Sequence, residues 1–138
     1  MKKFLLFTGA LLLFTSCDPL TDCIINNRPQ LNQKVFTPGF ADSYYEDSLN
    51  AEINNDPRDN DYYYYFSVDG LPRGMDYESD GRELFIFGTP RESGRYTMEV
   101  HLQVEAAILD FDDNDGPFED GDSLCKDSTS RAYTLTIQ

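Results

Sequence analysis

The sequence predicts an all-β fold, an antiparallel sandwich of about seven strands. Three observations carry this. Beyond residue 27 no long helical periodicity occurs, and apolar residues alternate with polar ones at period two. Clusters of Gly, Pro, Asn and Asp interrupt the alternation at short intervals, as in "LPRGM" and "GTPRESG". The 138 residues leave room for one domain.

The elements follow in order. Gln30 to Phe36 is a plausible first strand. Tyr44 to Ile53 forms the next, with Tyr45, Leu49, Ala51 and Ile53 turned inward. Asn54 to Asp61, "NNDPRDND", holds nothing apolar and reads as an exposed loop. In Asp61 to Gly70, Tyr62, Tyr64, Phe66 and Val68 share one side, and Tyr63, Tyr65 and Ser67 the other. Leu71-Pro72-Arg73-Gly74 is a turn in which Pro72 fixes φ and Gly74 admits a positive φ. Met75 to Tyr77 is a very short strand, and Arg82 to Phe87 one that is apolar on both faces. Gly88-Thr89-Pro90 ends that strand, because Pro cannot continue a central ladder. Arg95 to Glu105 is the clearest strand. Tyr96, Met98, Val100, Leu102 and Val104 face in, while Thr97, Glu99, His101, Gln103 and Glu105 face out. Arg131 to Gln138 repeats the pattern with Tyr133, Leu135 and Ile137 inward. This strand count and size are those of an immunoglobulin-like sandwich, and Tyr96 sits where a tyrosine corner belongs.

Several motifs together resemble a known family. They are Leu71-Pro72-Arg73-Gly74-Met75, Ile86-Phe87-Gly88-Thr89-Pro90, Gly94-Arg95-Tyr96 and Tyr133-Thr134-Leu135-Thr136-Ile137. The pattern is similar to the immunoglobulin-like (cadherin-like) repeat domain of bacterial surface proteins, over Tyr44 to Ile137. The resemblance implies a non-catalytic β-sandwich. The sequence departs from that pattern in a longer hairpin, Ser79 to Phe87, and in a long stretch between the last two strands, from about Ala106 to Ser130.

The N-terminus carries an address. Lys2 and Lys3 precede an apolar run from Phe4 to Phe14, which reads as a secretory signal. Thr15-Ser16-Cys17 closes it and resembles the lipobox of bacterial lipoproteins, with Phe14 where an aliphatic residue is usual. The expected organisation is therefore a signal peptide over 1–16, a tether over 17–27 and a sandwich over 28–138, with Cys17 lipidated. The lipid would anchor the protein to a membrane of the cell envelope, with the outer membrane or cell surface favoured. Cys23 and Cys125 then remain as a pair in an oxidising compartment.

The charge narrows the partners. Removing Lys2 and Lys3 takes the formal charge from −14 to −16. Nucleic acid is thereby set aside, because phosphate contacts need a basic face. Attachment to a bilayer must come from the lipid rather than from charge. The remaining partner classes are an envelope protein and a glycan.

Candidate chemistry is sparse. Asp110, Asp112, Asp113, Asp115, Glu119, Asp120 and Asp122 lie together with no Lys or Arg among them. Calcium takes six to eight oxygens, so Asp110, Asp112, Asp113, Asp115, Asp120 and Asp122 form a candidate calcium loop, with Gly116 and Gly121 for tight turns. An EF-hand frame fails, because it would place Phe111 at a ligand position. The competing reading is a solvated acidic loop. No motif requires a cofactor, and calcium is the one candidate. Tyr63 and Tyr65 suggest a glycan or protein platform, although packing under the long loop or a neighbouring strand is the favoured alternative. His101 lacks a recognisable nucleophile motif around it. The leading reading is a non-catalytic binding or structural module, followed by a calcium-binding adhesion or glycan-binding accessory protein. A small hydrolase that uses paired carboxylates is a weak third.

Overall fold

Alternation fixes which face each strand turns inward, and two such faces must meet to leave water. In the computed structural model, which describes residues 27–106 and 124–138, they do so as two sheets. The strands are β1 (Arg28–Leu31), β2 (Tyr45–Asn54), β3 (Tyr62–Asp69), β4 (Met75–Asp80), β5 (Glu83–Gly88), β6 (Gly94–Ala106) and β7 (Ser128–Ile137). One sheet has the order β1-β2-β5-β4 and the other β3-β6-β7, with every ladder antiparallel. That division into four and three strands is the constant-type immunoglobulin order.

The core is the product of the inward faces. Leu49, Ala51, Ile53, Leu84 and Ile86 from the first sheet meet Met98, Val100, Leu102, Val104, Leu135 and Ile137 from the second. Each large aliphatic side chain so buried contributes roughly 1.5–3 kcal/mol. Tyr64 joins them, with its hydroxyl donating to the Asp59 carbonyl at 2.9 Å. The Tyr96 hydroxyl donates to the Glu92 carbonyl at 3.0 Å, so the expected tyrosine corner is present.

The two Pro-containing turns close on each other. The Thr89 N–H donates to the Gly74 carbonyl at 2.9 Å, and the Arg91 N–H to the Arg73 carbonyl at 3.1 Å. Gly74 has φ +92 and Gly88 φ +134. A Cβ on Gly74 would lie 2.2 Å from the Thr89 carbonyl oxygen, and one on Gly88 would lie 2.4 Å from the Gly74 carbonyl oxygen. Gly88 therefore leaves space for the Gly74 backbone, and Gly74 for the backbone of Thr89, so each turn makes room for the other.

Some expectations need correction. The first strand stops at Leu31 instead of running to Phe36. Past the last bond from the Asn32 N–H to the Asn50 carbonyl, the chain leaves the first sheet and crosses to the second. There the Asn32 carbonyl accepts from the Tyr133 hydroxyl at 2.7 Å, and Phe36 packs edge-on against Tyr133 at 5.7 Å. Gly39 then bridges Ile137 in parallel. The strand expected at Met75 to Tyr77 extends to Asp80, because a tight turn at Gly81 lets Asp80 pair with Glu83. The loop over 54–61 is not simply solvated. The Asp56 side chain is only 5% exposed, since it accepts from the Tyr62 hydroxyl at 2.7 Å. Asp59 accepts from Arg82 at 2.8 Å and from the Ile53 N–H at 3.3 Å.

Candidate binding face

Period two sends the odd residues of β3 and β6 outward, and the registers align them in rows. Tyr63 stands opposite Glu105, Tyr65 opposite Gln103, and Ser67 opposite His101. Across β6, Gln103 meets Ser128 and His101 meets Ser130. A shallow hollow lies over the second and third rows, lined by Tyr65, Ser67, His101, Gln103, Ser128 and Ser130 among others.

The two tyrosines are 57% and 51% exposed. The expected cover by a neighbouring strand is not found among the described residues, and most of the long loop, the other expected cover, lies outside them. Alternation turns them away from the other sheet, and no strand among the described residues packs on that outer face. Residues two apart on a strand are separated by about 7 Å. Their rings therefore form an aromatic patch at the sheet edge, beside an amide, an imidazole and two hydroxyls.

His101 has Nε2 3.4 Å from Asp69 Oδ2, with both side chains substantially exposed. Ser67 and Ser130 flank it across the ladders. Among the described residues, no hydrogen bond joins either hydroxyl to the imidazole. What the face offers is a set of hydrogen-bonding groups level with aromatic rings.

Two aspartates elsewhere are held ionised by their partners. Burial pushes the Asp47 carboxyl up, but the Lys34 ammonium at 2.7 Å and the backbone N–H groups of Thr37 and Ser48 outweigh it and hold it below the usual range. The Tyr62 hydroxyl, and then the Arg58 N–H, hold the Asp56 carboxyl below that range too.

The remaining candidate residues are placed unevenly. Cys17, Cys23 and the proposed calcium ligands Asp110, Asp112, Asp113, Asp115, Asp120 and Asp122 lie outside the described residues. Among the described residues, no group of three or more His, Cys, Asp or Glu could hold a metal ion. Cys125 is described, and its N–H donates to the Asn27 carbonyl at 2.8 Å. A cleft at the opposite edge of the same sheet, lined by Arg28, Lys126 and Arg131, was not foreseen. Its cations are scattered in sequence, and only the folded edges gather them.

No family model matches the chain. No curated protein is similar to it either. Solved structures do resemble it. An endo-fucoidan hydrolase of glycoside hydrolase family 107 is 16% identical over 81% of this chain, with a TM-score of 0.53. A second hydrolase of that family is 15% identical over 83%, also at 0.53. A protein of Bacteroides fragilis named as a candidate alpha-galactosidase/melibiase is 13% identical over 88%, at 0.50. The chain spans 17%, 14% and 20% of those three chains, respectively. At these identities the likeness is one of fold. The sheet order makes that fold an immunoglobulin-like β-sandwich.

Proposed function

We propose that the protein is an exported lipoprotein, anchored through Cys17 at the cell envelope, whose immunoglobulin-like domain is a non-catalytic glycan-binding module. The observation that carries the binding reading is the exposure of Tyr63 and Tyr65 on one face of β3. Aromatic rings stack on the apolar faces of sugar rings, and the neighbouring Gln103, His101, Ser128 and Ser130 can meet sugar hydroxyls. A flat face without a deep apolar pocket suits an extended chain better than a small molecule. The anchor rests on the apolar run ended by Thr15-Ser16-Cys17.

A disulfide between Cys23 and Cys125 belongs to the same proposal. The bond from Cys125 to Asn27 supports it. Cys23 is four residues before Asn27, within a span of at most about 14 Å.

Affinity electrophoresis of the lipid-free chain (Cys17→Ser) through gels holding neutral or acidic polysaccharides tests the binding reading. Retardation by at least one polysaccharide is expected, and Tyr63→Ala with Tyr65→Ala should abolish it. Unaltered mobility in every gel, or retardation that survives the double substitution, would refute the reading.

A further inference from the structure

The molecule is strongly acidic, with a formal charge of −14 and eleven Lys and Arg in all. Three of those cations line one cleft of about 410 Å³ between β1 and the start of β7: Arg28, Lys126 and Arg131. Gln30, Ser128 and Ser130 complete its polar wall. Among the described residues, no acidic residue lines it.

Three other cations of the chain are neutralised locally, whereas Arg73, Arg91 and Arg95 are exposed on the surface outside this cleft. Lys34 lies 2.7 Å from Asp47, Arg82 lies 2.8 Å from Asp59, and Arg58 lies 3.8 Å from Asp56. Among the described residues, no carboxylate lies within 4.0 Å of Arg28, Lys126 or Arg131. The Arg131 guanidinium lies beside the Tyr133 hydroxyl, yet its buried Nη1 has no acceptor among the described residues. Guanidinium is a planar donor that carries its charge at any working pH and matches the oxygens of a carboxylate or sulfate. A buried donor with no acceptor is unfavourable, and so is gathering like charges with no counter-ion.

The fold holds the arrangement in place. The bond from Cys125 to Asn27 sets Lys126 beside the start of β1. Arg131 lies in the β7 ladder opposite Val100. Ser128 and Ser130 line both this cleft and the hollow beside Tyr65, so the two sites are continuous around the edge of the sheet.

We infer that the cleft is an oxyanion site. It would receive a sulfate or carboxylate group of an acidic glycan whose neutral rings lie over Tyr63 and Tyr65. This assignment of ligand class rests on the glycan reading of the tyrosine face, whereas the oxyanion site itself stands on the cleft.

Two arms separate them. In the first, the lipid-free chain is melted in low-millimolar sodium sulfate and in sodium chloride of equal ionic strength. Sulfate should raise Tm by about 2 °C or more over chloride, and the gain should vanish in Arg131→Gln. Lys126→Gln provides an exposed substitution should Arg131→Gln fold poorly, and it should at least halve the gain. In the second arm, dextran sulfate should bind at least tenfold more tightly than dextran, and Arg131→Gln should remove that preference. Equal sulfate responses in the parent and both variants would overturn the oxyanion site. So would a response that emerges only after Asp110, Asp112, Asp113 and Asp115 are changed to Asn, since the chain's own carboxylates would then be filling the cleft. Dextran and dextran sulfate binding equally, through Tyr63 and Tyr65, would overturn the acidic-ligand assignment and leave the glycan reading intact. A sulfate response lost in Arg131→Gln, with neither polymer bound, would uphold the cleft and count against the glycan reading.

Discussion

Replacing Gly74 by Ala should destabilise the fold by an amount that a second glycine can calibrate. Gly74 has φ +92, and an added Cβ would sit 2.2 Å from the Thr89 carbonyl oxygen and 3.2 Å from the Thr89 carbonyl carbon. Those atoms are backbone, so they cannot swing aside as a side chain would. The turn at 71–74 must instead part from the turn at 88–91, which strains or breaks the bonds from Thr89 to Gly74 and from Arg91 to Arg73. A left-handed backbone costs a residue with a Cβ about 1–2 kcal/mol, and each hydrogen bond contributes about 0.5–1.5 kcal/mol. Together these give about 2–5 kcal/mol, a large share of the roughly 5–15 kcal/mol that holds a domain of this kind folded. Gly81 has φ +52 and no atom within 4 Å of an added Cβ. Gly81→Ala therefore carries the backbone strain alone, along with the same gain from a stiffer unfolded chain. The difference between the two variants isolates the contact between turns, at about 1–3 kcal/mol. Urea denaturation of the lipid-free chain measures it as a difference in midpoint at constant slope. A difference below about 0.5 kcal/mol would show that the two turns do not lock each other, and the structural reason for the paired motif would fail.

Other outcomes are open to direct measurement. Intact mass of the membrane fraction should show a chain that begins at Cys17 and carries diacylglyceryl, and Cys17→Ser should release the protein or leave its signal uncut. Non-reducing peptide mapping should recover Cys23 linked to Cys125; reduction should then lower stability by up to about 4–5 kcal/mol, the chain-entropy value for a loop of about 100 residues. Asp47 and Asp56 have carboxyls held below the ordinary value of 3.8, so their stabilisation is complete above that value and is lost as pH falls through their lowered pKa values. Acid unfolding should therefore steepen below about pH 3.8, and Asp56→Asn should flatten that limb while lowering stability at neutral pH.

The sequence revealed most where one strand's own pattern decides the answer. In β6 the alternation from Tyr96 to Val104 places every inward residue correctly, because burial on one sheet face has period two. The turn motifs gave the reversals, since Pro and Gly act through their own φ. Neither signal reports on what lies opposite. Tyr63 and Tyr65 were assigned their side of β3, but their exposure depends on what packs on that face, a property of the tertiary fold. Asp56 and Asp59 read as solvated because the partners that turn them inward, Tyr62 and Arg82, are fixed by the tertiary fold. Arg28 and Arg131 are far apart in the chain, and the cleft exists only because β1 and β7 form adjoining edges of the two sheets.

Amide chemical-shift mapping tests the binding face most directly. The lipid-free chain, labelled with nitrogen-15, is titrated with fragments of whichever polysaccharide retards it in the gel. The expected perturbations cluster at Tyr63, Tyr65, His101, Gln103, Ser128 and Ser130, and extend to Arg131 when the fragment is anionic. Perturbations confined to β4 and β5, with β3, β6 and β7 unmoved, would contradict the assignment of that face.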